Sequence, residues 1–410
     1  MKVLWVLNSP MPEALSGLTG RKEVSKSTGS WVTALAEALS GRDDISLYTV
    51  SPSHLVNAPQ EVKAASATHF IVPAGGSFWE EIHDSVHPDV VHIHGTEYPF
   101  FIDCVKACGS ERVVVSIQGL VSEIRQFYFG GIPEDTVRRF TSFRDRIRRD
   151  SLLSQKADIE LRGDREIELL KSVKHVIGRT GWDRDALTRI NPAISYHFGN
   201  EALREPFYSG EWDFKSCVPH RIFVSQAHYP LKGLHKLLEA MPTILKRFPD
   251  TTVHIAGVNP LRGNRPLDKV LRNGYGCFIA GLIKKLKLGE KVVFIGESDA
   301  STMKREMLEA NIFVLPSIIE NSPNALCEAQ MLGVPIVAAN VGGVKDLVPN
   351  KECGILYQFE DTDALAASVT GFFEDSRSFD NSEMRETARK RHDREAVMKQ
   401  LIDAYVEVAS

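Results

Sequence analysis

The sequence predicts an α/β protein made of two Rossmann-like, doubly wound domains that face each other across a cleft. Three observations predict it. A chain of 410 residues exceeds what one core ordinarily organises and suits two domains of about 200 residues each. In both halves short apolar runs alternate with stretches of helical periodicity, the pattern of a sheet covered by helices on both faces. From Phe198 to Pro219 that alternation gives way to aromatic, glycine and charged residues without a period, as a linker does. The expected division is 1–210 and 211–389, with 390–410 as a closing segment.

Taken in order, strands of the first half are expected at Lys2–Asn8, Ser46–Val50, His69–Val72, Val90–His94, Arg112–Ile117 and His175–Ile177. Each is too short for a stable helix, whereas Trp31–Leu39, between the first two, has helical spacing. A new strand opens at Arg221–Ser225, followed by Thr252–Ala256, Lys291–Ile295, Ile312–Leu315 and Ile336–Ala339. The chain closes on an amphipathic helix at Arg394–Val408.

Composition narrows the function classes. Hydrophobic residues at 43% and charged residues at 25% are ordinary for a globular enzyme. A net charge of -4 provides no general attraction to nucleic acid or to anionic membranes, so any basic site is local and no nucleic-acid partner is expected. No apolar run approaches the roughly 18 to 20 residues of a membrane span, and Val3–Leu7 is too short for a signal-peptide core. A cytoplasmic location is expected, at the inner face of the membrane if the acceptor is lipid-linked. Cysteines 104, 108, 217, 277, 327 and 353 form no CxxC pair and read as reduced packing residues, although Cys104 and Cys108 can share a helix face.

The most informative stretch is Pro316-Ser317-Ile318-Ile319-Glu320-Asn321-Ser322-Pro323-Asn324-Ala325-Leu326-Cys327-Glu328-Ala329. It follows a buried strand and starts a helix, with Ser322 as an N-cap hydroxyl and Pro323 at the first helical position. Backbone N–H groups and the helix dipole at Asn321, Ser322 and Asn324 suit a diphosphate. Glu328 shares a stripe with Asn324 at i,i+4 and suits the vicinal hydroxyls of a ribose; Glu320 suits hydroxyls of a sugar beyond the phosphates. Read singly, each glutamate is ordinarily a solvated charge. As a pair in this setting, followed by Gly333–Ala339 and Gly342-Gly343, they favour binding.

At these residues the chain resembles glycosyltransferase family 4, group 1 retaining enzymes of GT-B fold whose signature is a glutamate, seven residues and a second glutamate. The resemblance extends through Gly354-Ile355-Leu356 and, more loosely, over nearly the whole chain. It implies that Glu320 contacts the donor sugar and Glu328 the ribose, and that the closing helix packs back on the first domain. Gly29, in Ser27-Thr28-Gly29-Ser30, matches a family glycine near the donor phosphates, with helix capping an equal alternative. In Val224-Ser225-Gln226-Ala227-His228-Tyr229-Pro230-Leu231-Lys232-Gly233 the family's Lys-Gly is retained, so Lys232 is expected to neutralise the leaving diphosphate. Gln226 stands where the family has arginine and Gln118 where it commonly has histidine. Gln118 can hydrogen-bond but not titrate, which points to positioning.

On the acceptor side, His94 and Glu97 follow a strand end, where ligands bind in open α/β sheets, though a strand-end histidine is more often structural. Arg179 and Asn200, the latter matching a family asparagine, are further wall candidates. Asp183-Arg184-Asp185 and Asp361-Thr362-Asp363 imitate a metal-binding DxD, but each begins a helical pattern and reads as a cap; no catalytic metal or cofactor is expected. Residues 127–149 interleave aromatics with arginines and suit an anionic lipid headgroup or an ordinary charged helix equally.

These features predict transfer of a sugar, with retention, from a nucleotide diphosphate donor to a glycan or lipid-linked acceptor, in surface polysaccharide or glycolipid synthesis. A nucleotide-sugar epimerase or phosphorylase of the same fold and a non-catalytic nucleotide-sugar-binding protein are the alternatives. An oxidoreductase is disfavoured because Asn8-Ser9-Pro10-Met11-Pro12 stands where GxGxxG belongs.

Overall fold

A computed structural model describes residues 1–20, 30–75, 78–262 and 266–410. Their contacts separate into two units: residues 1–123, 161–204 and 392–410 in the first, and residues 124–160 and 205–391 in the second. The change of unit falls at 204/205, where the sequence suggested 210/211. Residues 124–160, expected within the first domain, cluster with the second unit.

The first unit holds β1 (Lys2–Val6), β2 (Ser46–Ser53), β3 (Gln60–Lys63), β4 (Thr68–Pro73), β5 (Val90–His94), β6 (Val113–Ser116), β7 (His175–Gly178) and β8 (Ser195–Phe198). Their spatial order is β3-β4-β2-β1-β5-β6-β7-β8. Only the β3–β4 pairing is antiparallel. Because side chains alternate across a strand, Leu4 and Val6 enter one core while Val3 and Trp5 enter another on the opposite face. Both faces are therefore buried, which is why the central strands read as continuous apolar runs.

The closing helix, Arg394–Ala409, adds Leu401, Ala404, Tyr405 and Val408 to the second of these cores. A buried polar chain fixes it. Trp5 Nε1 donates to Tyr405 Oη at 2.9 Å, and that hydroxyl lies 2.6 Å from His92 Nδ1. Burial, reinforced by His94, holds the His92 pKa far below its ordinary value. The neutral ring thus accepts at Nδ1 and donates from Nε2 to Ser116 Oγ at 2.6 Å.

The second unit holds β9 (Arg221–Val224), β10 (Thr252–Ala256), β11 (Val292–Gly296), β12 (Ile312–Leu315), β13 (Ile336–Ala339) and β14 (Ile355–Tyr357). They form one parallel sheet ordered β11-β10-β9-β12-β13-β14. The segment 124–160 docks on this unit through specific contacts. Asp145 Oδ2 accepts from Gly274 N at 2.7 Å, Phe140 meets Phe278 edge-on at 5.3 Å, and His235 Nε2 donates to the Gly130 carbonyl at 2.9 Å. Tyr275 Oη, 3.3 Å from His235 Nδ1, fixes the same neutral tautomer from the other side.

That geometry has a pH consequence. Burial lowers the His235 pKa from 6.5 to about 4, so between those values the unfolded chain binds the proton and the folded chain does not. The stability is present above pH 6.5 and is lost as pH falls toward 4, by about 3 kcal/mol at 1.36 kcal/mol per pH unit. Unfolding midpoints measured from pH 7.5 to 4.5 are expected to fall, and His235→Gln is expected to flatten that slope. An equally steep slope in the variant would count against this account.

Among the described residues no helix is long and apolar enough to cross a membrane. None of the six cysteines is in a disulfide, and Cys104, Cys217, Cys327 and Cys353 are buried.

Candidate functional site

In the second unit the chain leaves β12, passes the Glu320 loop and enters the helix Asn324–Leu332. Glu328 is only 2% exposed, and the Glu320 side chain is 13% exposed. Neither glutamate is a solvated surface charge. The helix start differs from the expected one: Pro323 occupies the cap position with ψ 113°, and no side chain caps the helix. Extended ψ at Pro323 delays the helix by one residue, so Ser322 precedes the cap and its hydroxyl does not serve it.

Lys232 lies at the end of the short turn Pro230–Lys232. Its Nζ sits 2.6 Å from Glu320 Oε1, an oxygen that also accepts from Ser317 Oγ at 2.8 Å. The Tyr229 ring is 5.7 Å from the ammonium. Burial works against the charge on Lys232, but the Glu320 carboxylate and the Tyr229 hydroxyl together outweigh it and raise the pKa above its ordinary value. The lysine is therefore a fixed cation across the physiological range.

Two glycines set this geometry. Gly233, at φ 67°, lies so close to the Pro316 carbonyl that a Cβ would come within 1.7 Å of its oxygen. Gly342, at φ 51°, would put a Cβ 2.0 Å from the Glu320 carbonyl oxygen, which accepts from Gly343 N at 3.0 Å. Only glycine meets both the left-handed backbone and the close approach. Ser225 and Gln226 follow β9 directly, and the Gln226 side chain lies against Gly257 after β10.

In the first unit, His94, Arg179 and Asn200 line one pocket at the carboxyl ends of β5 to β7, with His92, Ser116 and Glu201. Its volume of about 50 Å³ admits a few waters and not a hexose. Burial lowers the His94 pKa to about 3, so the ring is neutral at pH 7 and suits hydrogen bonding rather than proton transfer. Arg179 bonds Glu201 Oε1 at 2.6 Å and donates to Gln118 Oε1 at 2.9 Å. Gln118 Nε2 in turn donates to Glu201 at 3.2 Å. Both ends of the Gln118 amide are thus hydrogen-bonded.

Glu97 is not among the residues lining this pocket; it pairs with Arg162 at 2.6 Å. Gly29 lies outside the described residues. Asp361 caps the helix Thr362–Asp375 through Ala364 N, and Asp183 forms a capping box with Thr180. Both acidic tripeptides are thus explained by helix starts.

Sequence reasoning missed Glu201, Ser317, Tyr229 and Glu166 as site or site-supporting residues. Glu201 adjoins the expected Asn200, and Ser317 and Tyr229 lie within the motifs already singled out, so proximity was the available signal. Glu166, fully buried on the helix Leu152–Ser172, had none. It accepts from Ser122 N at 2.8 Å, Ser122 Oγ at 2.6 Å and Val121 N at 3.1 Å, bonds that bind the loop after Gln118 to that helix. Burial raises its pKa despite those bonds.

Residues 218–391 match the family model for group 1 glycosyl transferases. An uncharacterized glycosyltransferase of Methanocaldococcus jannaschii is 29% identical over 148 residues, covering 36% of this chain and 34% of that protein. A phosphatidyl-myo-inositol mannosyltransferase of Mycolicibacterium smegmatis is 27% identical over 190 residues, 46% of this chain and 45% of that one. The aligned part is less than half the length of these curated relatives. Sucrose-phosphate synthase from Thermosynechococcus elongatus superposes over 100% of this chain and 99% of its own, with TM-score 0.68 and 17% identity. Anabaena HepE, solved with UDP-glucose, superposes over 99% of this chain and 100% of its own, with TM-score 0.65 and 15% identity. The fold is GT-B.

Proposed function

We propose that the protein is a retaining glycosyltransferase that moves a sugar from a nucleotide diphosphate donor to a hydroxyl of a glycan or lipid-linked acceptor. The observation that carries this reading is the buried Lys232–Glu320 pair beside a helix whose start no side chain caps, in the region similar to group 1 glycosyl transferases. The donor diphosphate would lie on the helix start and meet Lys232, with Glu328 on the ribose and Glu320 on the sugar. Ser225, Gln226, Asn321, Ser322 and Asn324 would line the same half-site. As the bond from the anomeric carbon to the phosphate oxygen breaks, charge grows on the diphosphate, and Lys232 and the helix dipole stabilise it. The acceptor oxygen bonds the anomeric carbon on the same face, and its proton passes to the departing phosphate oxygen. Lysine and dipole supply the positive charge, so the step as drawn needs no metal.

His94, Arg179 and Asn200 would face a single hydroxyl of the acceptor from the mouth of their pocket, which is too small to enclose a sugar ring, with Gln118 holding Arg179 in place. A lipid-linked acceptor in surface polysaccharide or glycolipid synthesis, met at the inner membrane face, is supported by the helix Phe143–Arg148. Phe143 and Ile147 are 71% and 65% exposed, one turn apart, among the exposed arginines 139, 146, 148 and 149.

The test is incubation with a panel of nucleotide diphosphate sugars, with and without glycan and lipid-linked acceptors, reading nucleoside diphosphate release. Acceptor-dependent release is expected. Sugar isomerisation without release would replace this reading with the epimerase, and binding without turnover with the binding protein.

A further inference from the structure

β8 is an edge strand of the first unit's sheet and β7 is its neighbour. Ser195 stands opposite His175, and His197 opposite Ile177, so both imidazoles rise from the same face, two positions apart. Their rings stack 28° from parallel with centroids 5.3 Å apart, and His175 Nδ1 is 3.0 Å from His197 Nε2. The last turn of the closing helix brings in Glu407, with Oε2 3.6 Å from His197 Nδ1 and Oε1 3.3 Å from Ser195 Oγ. One ligand atom from each of His175, His197 and Glu407 falls within a 4.8 Å set. None of the three residues has a part in the donor or acceptor sites proposed above.

We propose that His175, His197 and Glu407 form a binding site for a borderline divalent cation of the zinc class, which staples the closing helix to the sheet edge. Two imidazoles and one carboxylate form a donor set that favours zinc over magnesium or calcium, which prefer all-oxygen shells. Around a tetrahedral ion with bonds of about 2.1 Å, ligand atoms lie roughly 3.4 Å apart. Gathering the set to that spacing requires a rotation of His197, which now shows one nitrogen to each neighbour, and an inward shift of Glu407. The glutamate side chain is 59% exposed and free to make it. Ser195 is placed to orient the carboxylate, as partners of metal ligands do.

Burial is the first cause lowering the pKa of both histidines, which keeps their lone pairs available at neutral pH. The other charges facing them are Lys174 and Glu111, which pair with each other, and Glu407 itself. The cation takes the place of the proton shared between the two rings, and the open side leaves a fourth position for water.

The test uses the full chain after treatment with a chelator, titrated separately with Zn²⁺ and Mg²⁺ by calorimetry and thermal unfolding, and with Co²⁺ by absorption. One equivalent of Zn²⁺ is expected to bind and raise the unfolding midpoint by mass action, Mg²⁺ is not, and Co²⁺ is expected to give tetrahedral visible bands. His197→Asn should weaken Zn²⁺ by well over tenfold. Glu407→Gln, a near-isosteric change at a side chain 59% exposed, should weaken it by about tenfold or more. Unchanged Zn²⁺ affinity and Co²⁺ spectrum in Glu407→Gln and in His197→Asn would overturn the proposal, as would no Zn²⁺ binding by the unaltered chain. Donor binding is read in the same samples and is expected to be unchanged, so failure here is distinguishable from failure of the proposed function.

Discussion

Lys232→Ala is expected to lower turnover by about 100- to 1000-fold, the usual effect of removing one preorganised group from a developing oxyanion. Donor affinity should fall much less, because the lysine is worth most when the diphosphate charge is fully developed. The substitution also leaves Glu320 without its partner, and both side chains are largely buried, at 18% and 13% exposed. Removing one member of such a pair costs about 3 kcal/mol or more, so a drop in thermal stability accompanies the loss of rate. Lys232→Met/Glu320→Gln separates the two effects. It should recover most of the stability and none of the turnover, and recovery of turnover would remove Lys232 from the chemistry.

Glu328→Gln is expected to act in the opposite sense, weakening nucleotide binding about 10- to 100-fold while the rate at saturating donor changes little. A charge-assisted hydrogen bond is worth about 1.5–3 kcal/mol, and that range sets the predicted loss. The near-isosteric amide keeps the volume of a residue that is only 2% exposed, so the fold should hold. An equal loss of affinity for the bare nucleoside diphosphate and for the nucleotide sugar would assign Glu328 to the nucleoside half. A loss confined to the sugar nucleotide would move it to the sugar.

The strands easiest to read in the sequence were those flanked by other strands. Val113–Ser116 and Ile312–Leu315 sit inside their sheets, and burial on both faces writes a continuous apolar run into the chain. The three strands that were not read, Gln60–Lys63, Ser195–Phe198 and Ile355–Tyr357, are all edge strands. Gln60-Glu61-Val62-Lys63 has a single apolar side chain, as an edge that must resist further pairing tends to. The glutamate motif made the proposed donor half legible because its residues are close together in sequence. The Arg179–Glu201–Gln118 cluster joins three separate loops through side-chain contacts, which no local pattern reports. The same limit hid the docking of 124–160 on the second unit: it rests on single long-range bonds, Asp145 to Gly274 and His235 to Gly130.

The helix cap shows a smaller failure of the same kind. Serine followed by proline satisfies the usual rule for a helix start, yet the chain starts one residue later. The outcome is a helix start that no side chain caps, four residues after Glu320 in the chain.

The central claim is that this half-site binds the diphosphate of a nucleotide sugar, and calorimetric titration of nucleoside diphosphates into the intact protein and into Glu328→Gln tests it most directly. The account predicts one equivalent bound to the unaltered chain and about 10- to 100-fold weaker binding to the variant. Binding of equal strength to both, or to neither, would contradict it.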